Sequence, residues 1–386
     1  MKEALVFGAG KIGQGFIGDL LNDDGYKIVF ADINEKVVND LNKNKSYSLF
    51  LTNHNYDEKV IEGVSALSLI SDKEKIIELI TRVDIITTSV MKTNLKKVAP
   101  ILAEGLKKRV SLDSRKVIVM ACENAIFGTD ILVDEMLKTN IITREQLNLV
   151  GMYPNTGVDR FVFGGIYHGK EGTAVSDVHE LAIERQKLDN DVDIPISGAE
   201  YVDNLEAVLK RKIYLVNCWL AISSYIGFDK GYTMVSEALC DEKIQEIALA
   251  AVHESANGLC AKFGFTKEEM DKYIEKMIIG RFADYNQPGI VDPIARVGRQ
   301  PIRKLLPDDR IIGPALIADA YDLPYDNLIK GAAYGYKYSN LEDEEAVELQ
   351  RLITEIGIDE TIVRISKLDK DSKMFKELLN DYNNLI

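Results

Sequence analysis

Six residues, Gly8-Ala9-Gly10-Lys11-Ile12-Gly13, restrict the fold more than any other stretch of this chain. They follow a short apolar run of strand length, Ala4-Leu5-Val6-Phe7, and lead into Gly15-Phe16-Ile17-Gly18-Asp19-Leu20-Leu21, where the apolar positions keep helical spacing. A second apolar strand, 27–31, ends at Asp32, and a helix is expected over 35–41. Strand, glycine loop, helix, strand, acid is the order of a dinucleotide-binding unit. Gly8 permits the tight turn, Gly10 leaves room for a pyrophosphate to approach the backbone, and Gly13 lets helix and strand pack closely. With Lys11 and Ile12, the helix N-terminus offers free N–H groups to phosphates. A carboxylate at Asp32, roughly 20 residues after Gly13, accepts hydrogen bonds from ribose hydroxyls and repels a 2′-phosphate, which selects NAD over NADP. Read without that context, the loop is a glycine-rich turn in a fold that binds another nucleotide or none.

Strand and helix keep alternating. Ser71-Asp72-Lys73-Glu74 has the spacing of a capping box ahead of an apolar helix, 83–90 is a strand, 95–109 a helix, and 116–121 a strand ending at Cys122-Glu123-Asn124. Ligands of open parallel sheets sit beyond the carboxyl ends of the strands, which makes Thr88, Ser89 and Asn124 candidates to face cofactor or substrate. Each could equally close a strand or cap a helix. Val158-Asp159-Arg160-Phe161-Val162 reads as a buried strand with an internal ion pair. A domain boundary is expected near Pro195, giving a doubly wound α/β domain over 1–195 and a mostly helical domain over 196–386. In the latter, Ser197-Gly198-Ala199-Glu200 has capping-box spacing before a helical stretch to about 225, and further helices are expected over 242–263, 267–279, 316–320, 344–356 and from 372.

Two features of the second half carry chemistry. Lys210-Arg211-Lys212 is followed by Asn217. Free lysine titrates near pH 10.4, too high for a base at neutral pH, but burial and neighbouring cations lower it. In an α-helix Lys212 and Asn217 differ by about 140° and do not share a face. The alternative is a solvated basic face. The second feature is Arg296, Arg299, Arg303, Lys304 and Arg310, which either hold a phosphate or carboxylate or form surface ion pairs.

Composition bounds the partners. Acidic residues outnumber basic ones 61 to 47, for a formal net charge of −14, which disfavours nucleic acid. The four cysteines form no C-x-x-C pair and suit a reducing compartment. No apolar run approaches the roughly 18 residues of a membrane span, and no signal peptide is read, so a cytoplasmic protein without a membrane partner is expected.

Together these stretches resemble the long-chain polyol dehydrogenase family. The resemblance rests on the glycine loop through Gly18, Ala121-Cys122-Glu123-Asn124, Val158-Asp159-Arg160, Asp203-Asn204-Leu205, Arg211-Lys212 with Asn217, Gly280-Arg281-Phe282, and the run from Arg296 to Leu305. It implies a Rossmann-type domain followed by a mostly helical one, an NAD cofactor and no metal. It further implies reversible oxidation of mannitol 1-phosphate to fructose 6-phosphate; a related polyol, polyol phosphate or sugar acid is the alternative, and a non-catalytic NAD(H) sensor a more distant one. By the same resemblance Lys212 is the general base, Asn217 and Asn124 bind the reacting oxygen, and Asp159, Arg296 and Lys304 line the substrate pocket. Arg299 and Arg303 are added as phosphate contacts on the charge argument. The partner is a small polyol or sugar phosphate, and a monomer or small homo-oligomer is expected. Three departures stand out: Leu220 replaces the family's histidine, Phe163 replaces a proline, and an extra residue is accommodated in Tyr153-Pro154-Asn155-Thr156-Gly157.

Overall fold

The computed structural model describes residues 2–189, 195–287 and 289–385. Its strands are β1 (Glu3–Phe7), β2 (Lys27–Asp32), β3 (Ser46–Leu51), β4 (Asp57–Glu62), β5 (Val64–Ser68), β6 (Ile85–Thr88), β7 (Val117–Ala121), β8 (Gly151–Met152), β9 (Thr156–Tyr167), β10 (Lys170–Glu184) and β11 (Glu200–Val202). Six form one parallel sheet in the order β5-β2-β1-β6-β7-β8. The central strands are continuous apolar runs because both faces are covered. Ala4 and Val6 of β1 point into one core with Phe16, Ile17, Ile28 and Phe30, while Leu5 and Phe7 point into the other with Leu79, Leu102 and Leu106. Strand order reverses between β1 and β6, so a crevice opens beyond their carboxyl ends.

A second sheet, β11-β10-β3-β4 with β9 paired to β10, packs into the first of these cores through Leu49, Ile61, Val158, Val175 and Ile183. β9 and β10 are a long antiparallel hairpin, and the Val-Asp-Arg segment lies on β9 as expected. The expected ion pair within it is corrected: alternation sends Asp159 and Arg160 to opposite faces, and the Arg160 guanidinium pairs instead with Asp19, Nη1 to Oδ2 2.5 Å. Phe163 stands where the family has proline because that position pairs with Ala174 in the hairpin and packs on Phe50, Tyr56 and Tyr167.

Both expected capping boxes are also corrected. At 71–74 the Asp72 carboxylate takes the Ser68 N–H and Lys75 instead of capping Lys73–Ile80. At 197–200 the chain enters β11, pairing Glu200–Val202 with β10; the helix starts later, at Leu205, where Asn204 accepts the Ala207 N–H at 3.1 Å. Because β11 belongs to the sheets, the first compact unit runs on to Val208 and the second begins at Leu209, beyond the expected boundary at 195.

The second unit is helical. Its principal helices are Cys218–Asp229, Glu242–Phe263, Lys267–Ile274, Ile312–Ala320, Asp326–Lys337, Glu344–Ser366 and Lys373–Asn384. Glu242–Phe263 is capped by Asp241, which accepts the Lys243 and Ile244 N–H groups, and is stopped by Gly264 at φ +77°. Glu344–Ser366 passes the expected end at 356 but kinks at Gly357, φ +84° and ψ 159°. Trp219 is fully buried and donates to Gln245 Oε1 at 2.8 Å. No helix among the described residues is long and apolar enough to cross a membrane.

Candidate functional site

The glycine loop has the geometry its spacing demands. Gly8 adopts φ +95°, and a Cβ there would lie 2.5 Å from the Ser89 carbonyl oxygen. A Cβ on Gly13 would lie 1.9 Å from the Gly8 carbonyl oxygen, so the helix can approach β1 only because both are glycine. A Cβ on Gly10 would meet nothing within 4 Å, which leaves the loop's outer side open to a phosphate. Lys11 is exposed and its side chain passes over Gly164; Ile12 is half-buried against the core. The helix then widens into a π turn over Gly13–Gly18. Asp32 closes β2 and is tied to the loop: Oδ2 accepts the Ala9 N–H at 2.6 Å and Oδ1 the Asn34 N–H at 2.8 Å.

At the ends of β6 and β7 the two polar candidates behave differently. Thr88 is fully buried, and its hydroxyl donates to the Glu123 carboxylate at 2.9 Å. Glu123 also takes the Val90 N–H at 3.0 Å, and burial raises its pKa above the ordinary glutamate value. The Ser89 side-chain oxygen is buried and has no hydrogen-bond partner among the described residues. An open Gly10, an orphaned Ser89 hydroxyl and a carboxylate at the loop's far side fit the pyrophosphate and ribose of a dinucleotide. Asn124 is exposed just after β7. Glu123, which braces both strand ends, was not singled out by sequence, although it adjoins Asn124.

In the second unit the helix carrying the proposed base contains a surprise. Leu205–Lys212 passes into a π turn, Ile213–Asn217, before continuing as Cys218–Asp229. A turn closed by i→i+5 hydrogen bonds is wider than an α-helical one and rotates through fewer degrees per residue. The roughly 140° expected between Lys212 and Asn217 on a regular α-helix therefore narrows across this turn. Lys212 is buried, at 9% exposure. The two preceding cations are engaged elsewhere. Lys210 donates to the Tyr214 hydroxyl at 2.9 Å and the Asp308 carbonyl at 3.1 Å, and Arg211 lies over the Tyr273 ring at 4.1 Å. Leu220 is half-buried one turn further on.

The basic cluster separates into spent and available charges. Arg296 grips buried Asp292 with Nε and Nη2, at 2.5 and 2.6 Å, and Tyr285 donates to the same carboxylate at 2.8 Å. Asp292, four residues before Arg296, was legible as an i,i+4 partner but was not named. Arg310 pairs with Asp309 at 2.7 Å. Lys304 is buried at 3% exposure and donates to the carbonyls of Val297 and Arg299. Burial, then Arg310, Arg303 and Arg299, push its pKa down to about 6, against the pull of Asp309. Arg299 and Arg303 are exposed and enter no ion pair among the described residues. Asp159 is buried on β9 in the first unit.

Comparison with known proteins agrees with this geometry. A model of the mannitol dehydrogenase Rossmann domain matches residues 2–194, and one of the mannitol dehydrogenase C-terminal domain matches 204–386. The chain is 37% identical to a mannitol-1-phosphate 5-dehydrogenase of Geobacillus stearothermophilus over 99% of each protein. It is 34% identical to a protein of the same name from Caldanaerobacter subterraneus subsp. tengcongensis, over 99% of this chain and 98% of that one. Among solved structures, D-sorbitol dehydrogenase in substrate-free form superposes with a TM-score of 0.81, at 14% identity, over 98% of this chain and 92% of that one. Mannitol 2-dehydrogenase of Pseudomonas fluorescens, in a ternary complex with NAD and D-mannitol, superposes with a TM-score of 0.70, at 14% identity, over 100% and 91%. Identity that low speaks for the fold alone, but the family models span both halves, and the chain belongs to the mannitol dehydrogenase family.

Proposed function

We propose that this protein is an NAD-dependent dehydrogenase that interconverts mannitol 1-phosphate and fructose 6-phosphate. Near-full-length similarity to enzymes named for the first of these substrates supports the reaction. The observation that carries the phosphate preference is the pair Arg299 and Arg303, whose exposed guanidinium groups enter no ion pair among the described residues and flank the buried Lys304, although Glu345 takes the Arg303 backbone N–H at 3.0 Å. Guanidinium groups in that state suit a phosphate by charge-assisted, bidentate hydrogen bonding.

When bound, NAD supplies the acceptor for the hydride that leaves the hydroxyl-bearing carbon. The protein manages the proton and the oxygen. Lys212, buried on its helix, takes the hydroxyl proton. To the oxygen, as charge develops on it, we assign Asn217 of the helical unit and Asn124 of the α/β unit as donors. To the polyol we assign Asp159 in the α/β unit and, in the helical unit, Lys304 and Arg296, the latter oriented by Asp292. Gly8, Gly10, Lys11, Ile12 and Gly13 would hold the pyrophosphate, Asp32 would take the adenosine ribose, and Thr88 and Ser89 would border the cofactor from the end of β6.

Reduced nicotinamide absorbance, followed with fructose 6-phosphate and with free fructose, tests this reading. Rapid oxidation of NADH with the phosphate alone is expected. Arg299→Ala and Arg303→Ala should each raise KM for fructose 6-phosphate about tenfold or more, since a hydrogen bond to a charged group contributes about 1.5–3 kcal/mol. Equal rates with fructose and its phosphate would refute the phosphate site. A second reading, another polyol phosphate or sugar acid, is favoured by apolar Leu220 in place of the family's histidine. It predicts no oxidation with fructose 6-phosphate and turnover on a wider ketose panel.

A further inference from the structure

The helix behind the glycine loop is held from outside at three points, and each holder comes from a different strand of the second sheet. Tyr47 of β3 donates its hydroxyl to the Gln14 carbonyl at 2.9 Å. Arg160 of β9 donates through Nη1 to the Gly15 carbonyl at 3.0 Å and to Asp19 Oδ2 at 2.5 Å. Lys59 of β4 reaches the other Asp19 oxygen at 2.7 Å. Gln14 and Gly15 lie in the π turn, and Asp19 is the first residue beyond it. Arg160 and Asp19 are both almost fully buried, the Arg160 guanidinium also donates to the Ser176 carbonyl at 2.6 Å, and the Phe16 ring lies beneath it. Two further glycines belong to this contact. A Cβ on Gly15 would press into Val162 of β9 and Thr173 and Val175 of β10, and one on Gly18 would lie 2.5 Å from the Tyr47 hydroxyl.

The chain of cause is local. A π turn is a rare, wide form of helix that needs support from its surroundings. Its carbonyls retain lone pairs for outside donors, and here two successive carbonyls have one each. The turn begins at Gly13, directly after the loop residues whose N–H groups would receive the pyrophosphate. Fixing the turn fixes the direction of those N–H groups.

We infer that Tyr47 and Arg160 are positioning residues for the dinucleotide: the second sheet clamps the helix behind the glycine loop in its π form and so sets the loop for the pyrophosphate. This rests on the NAD reading above. Neither residue touches the cofactor in this account. They act through Gln14, Gly15 and Asp19.

The test is NADH binding, followed by nucleotide fluorescence, in the wild type, Tyr47→Phe, Arg160→Lys and a control, Tyr26→Phe. Tyr26 is a buried tyrosine of the same unit, but its hydroxyl donates to the Pro195 carbonyl at 3.0 Å, away from the loop. Tyr47→Phe keeps the ring and removes one neutral hydrogen bond, so roughly three- to tenfold weaker NADH binding is expected. KM for NADH should rise by the same factor, with kcat at saturating NADH unchanged. Arg160→Lys, which keeps the charge near Asp19 but loses the fork, should weaken binding further. Tyr26→Phe should lower thermal stability about as much as Tyr47→Phe while binding NADH like the wild type. Equal NADH affinity in Tyr47→Phe and the wild type overturns the clamp and leaves the dinucleotide reading standing. Parallel losses in Tyr47→Phe and Tyr26→Phe also overturn it, because they reduce the effect to general stability. A wild type that binds no NADH overturns both.

Discussion

Lys212 and Lys304 are both buried, and their surroundings prepare them for different tasks. Lys212 enters the π turn that ends at Asn217, and Lys212→Ala should lower turnover about a hundred- to ten-thousandfold, the range of a lost general base, while NADH binding stays intact. Near-normal turnover in single-turnover kinetics would remove it from that role. Lys304 instead sits among like charges, with a pKa near 6 in the folded protein and about 10.4 as a free side chain. The folded state therefore binds fewer protons than the unfolded one between those values, so this group's contribution makes stability rise with pH across the window and fall as pH drops towards 6. A dianion beside Arg299 and Arg303 reverses the repulsion and favours the ammonium form. Binding of fructose 6-phosphate at pH 8, where its phosphate is already dianionic, should take up protons. Calorimetry in two buffers of different ionisation enthalpy reads this directly, and Lys304→Met should abolish it. A buffer-independent heat in the wild type would contradict the coupling.

Among the described residues, π turns recur at Gly13–Gly18, Ile213–Asn217 and Glu275–Ile279. The first follows the glycine loop, the second joins Lys212 to Asn217, and the third leads into Gly280-Arg281-Phe282. None was legible in the sequence, because hydrophobic spacing over five or six residues does not distinguish 3.6 residues per turn from a slightly wider helix, and packing decides between them. The glycine loop and Asp32 were legible because every residue that defines them is close in sequence. The capping pattern at 197–200 failed for the opposite reason: pairing with β10 competes for the same residues and wins. The C-terminal helix pair shows a glycine of clear consequence. Gly357, at φ +84° and ψ 159°, occupies a region almost closed to other residues, and a Cβ there would lie 2.9 Å from Asp359 Oδ1. Gly357→Ala should cost about 1–3 kcal/mol in chemical denaturation and leave kcat unaltered. A stability change within experimental error would show that the kink relaxes freely.

At the scale of the molecule, the α/β and helical halves were readable from alternation and composition, and the family from motifs spread along both. The second sheet was not, since its strands come from 46–62, 156–184 and 200–202 and Arg160 finds its partner 141 residues earlier. Long-range pairing of that kind leaves no local trace. The cation cluster was visible as charge, but which members are spent on Asp292 and Asp309 depended on the folded geometry. The helical unit also holds the chain's single tryptophan, Trp219, fully buried and hydrogen-bonded to Gln245. The molecule thus carries an optical label in one half only. Its indole emission reports the integrity of the helical unit while the α/β unit is silent in that channel, so the melting of the two halves can be resolved in one unlabelled sample.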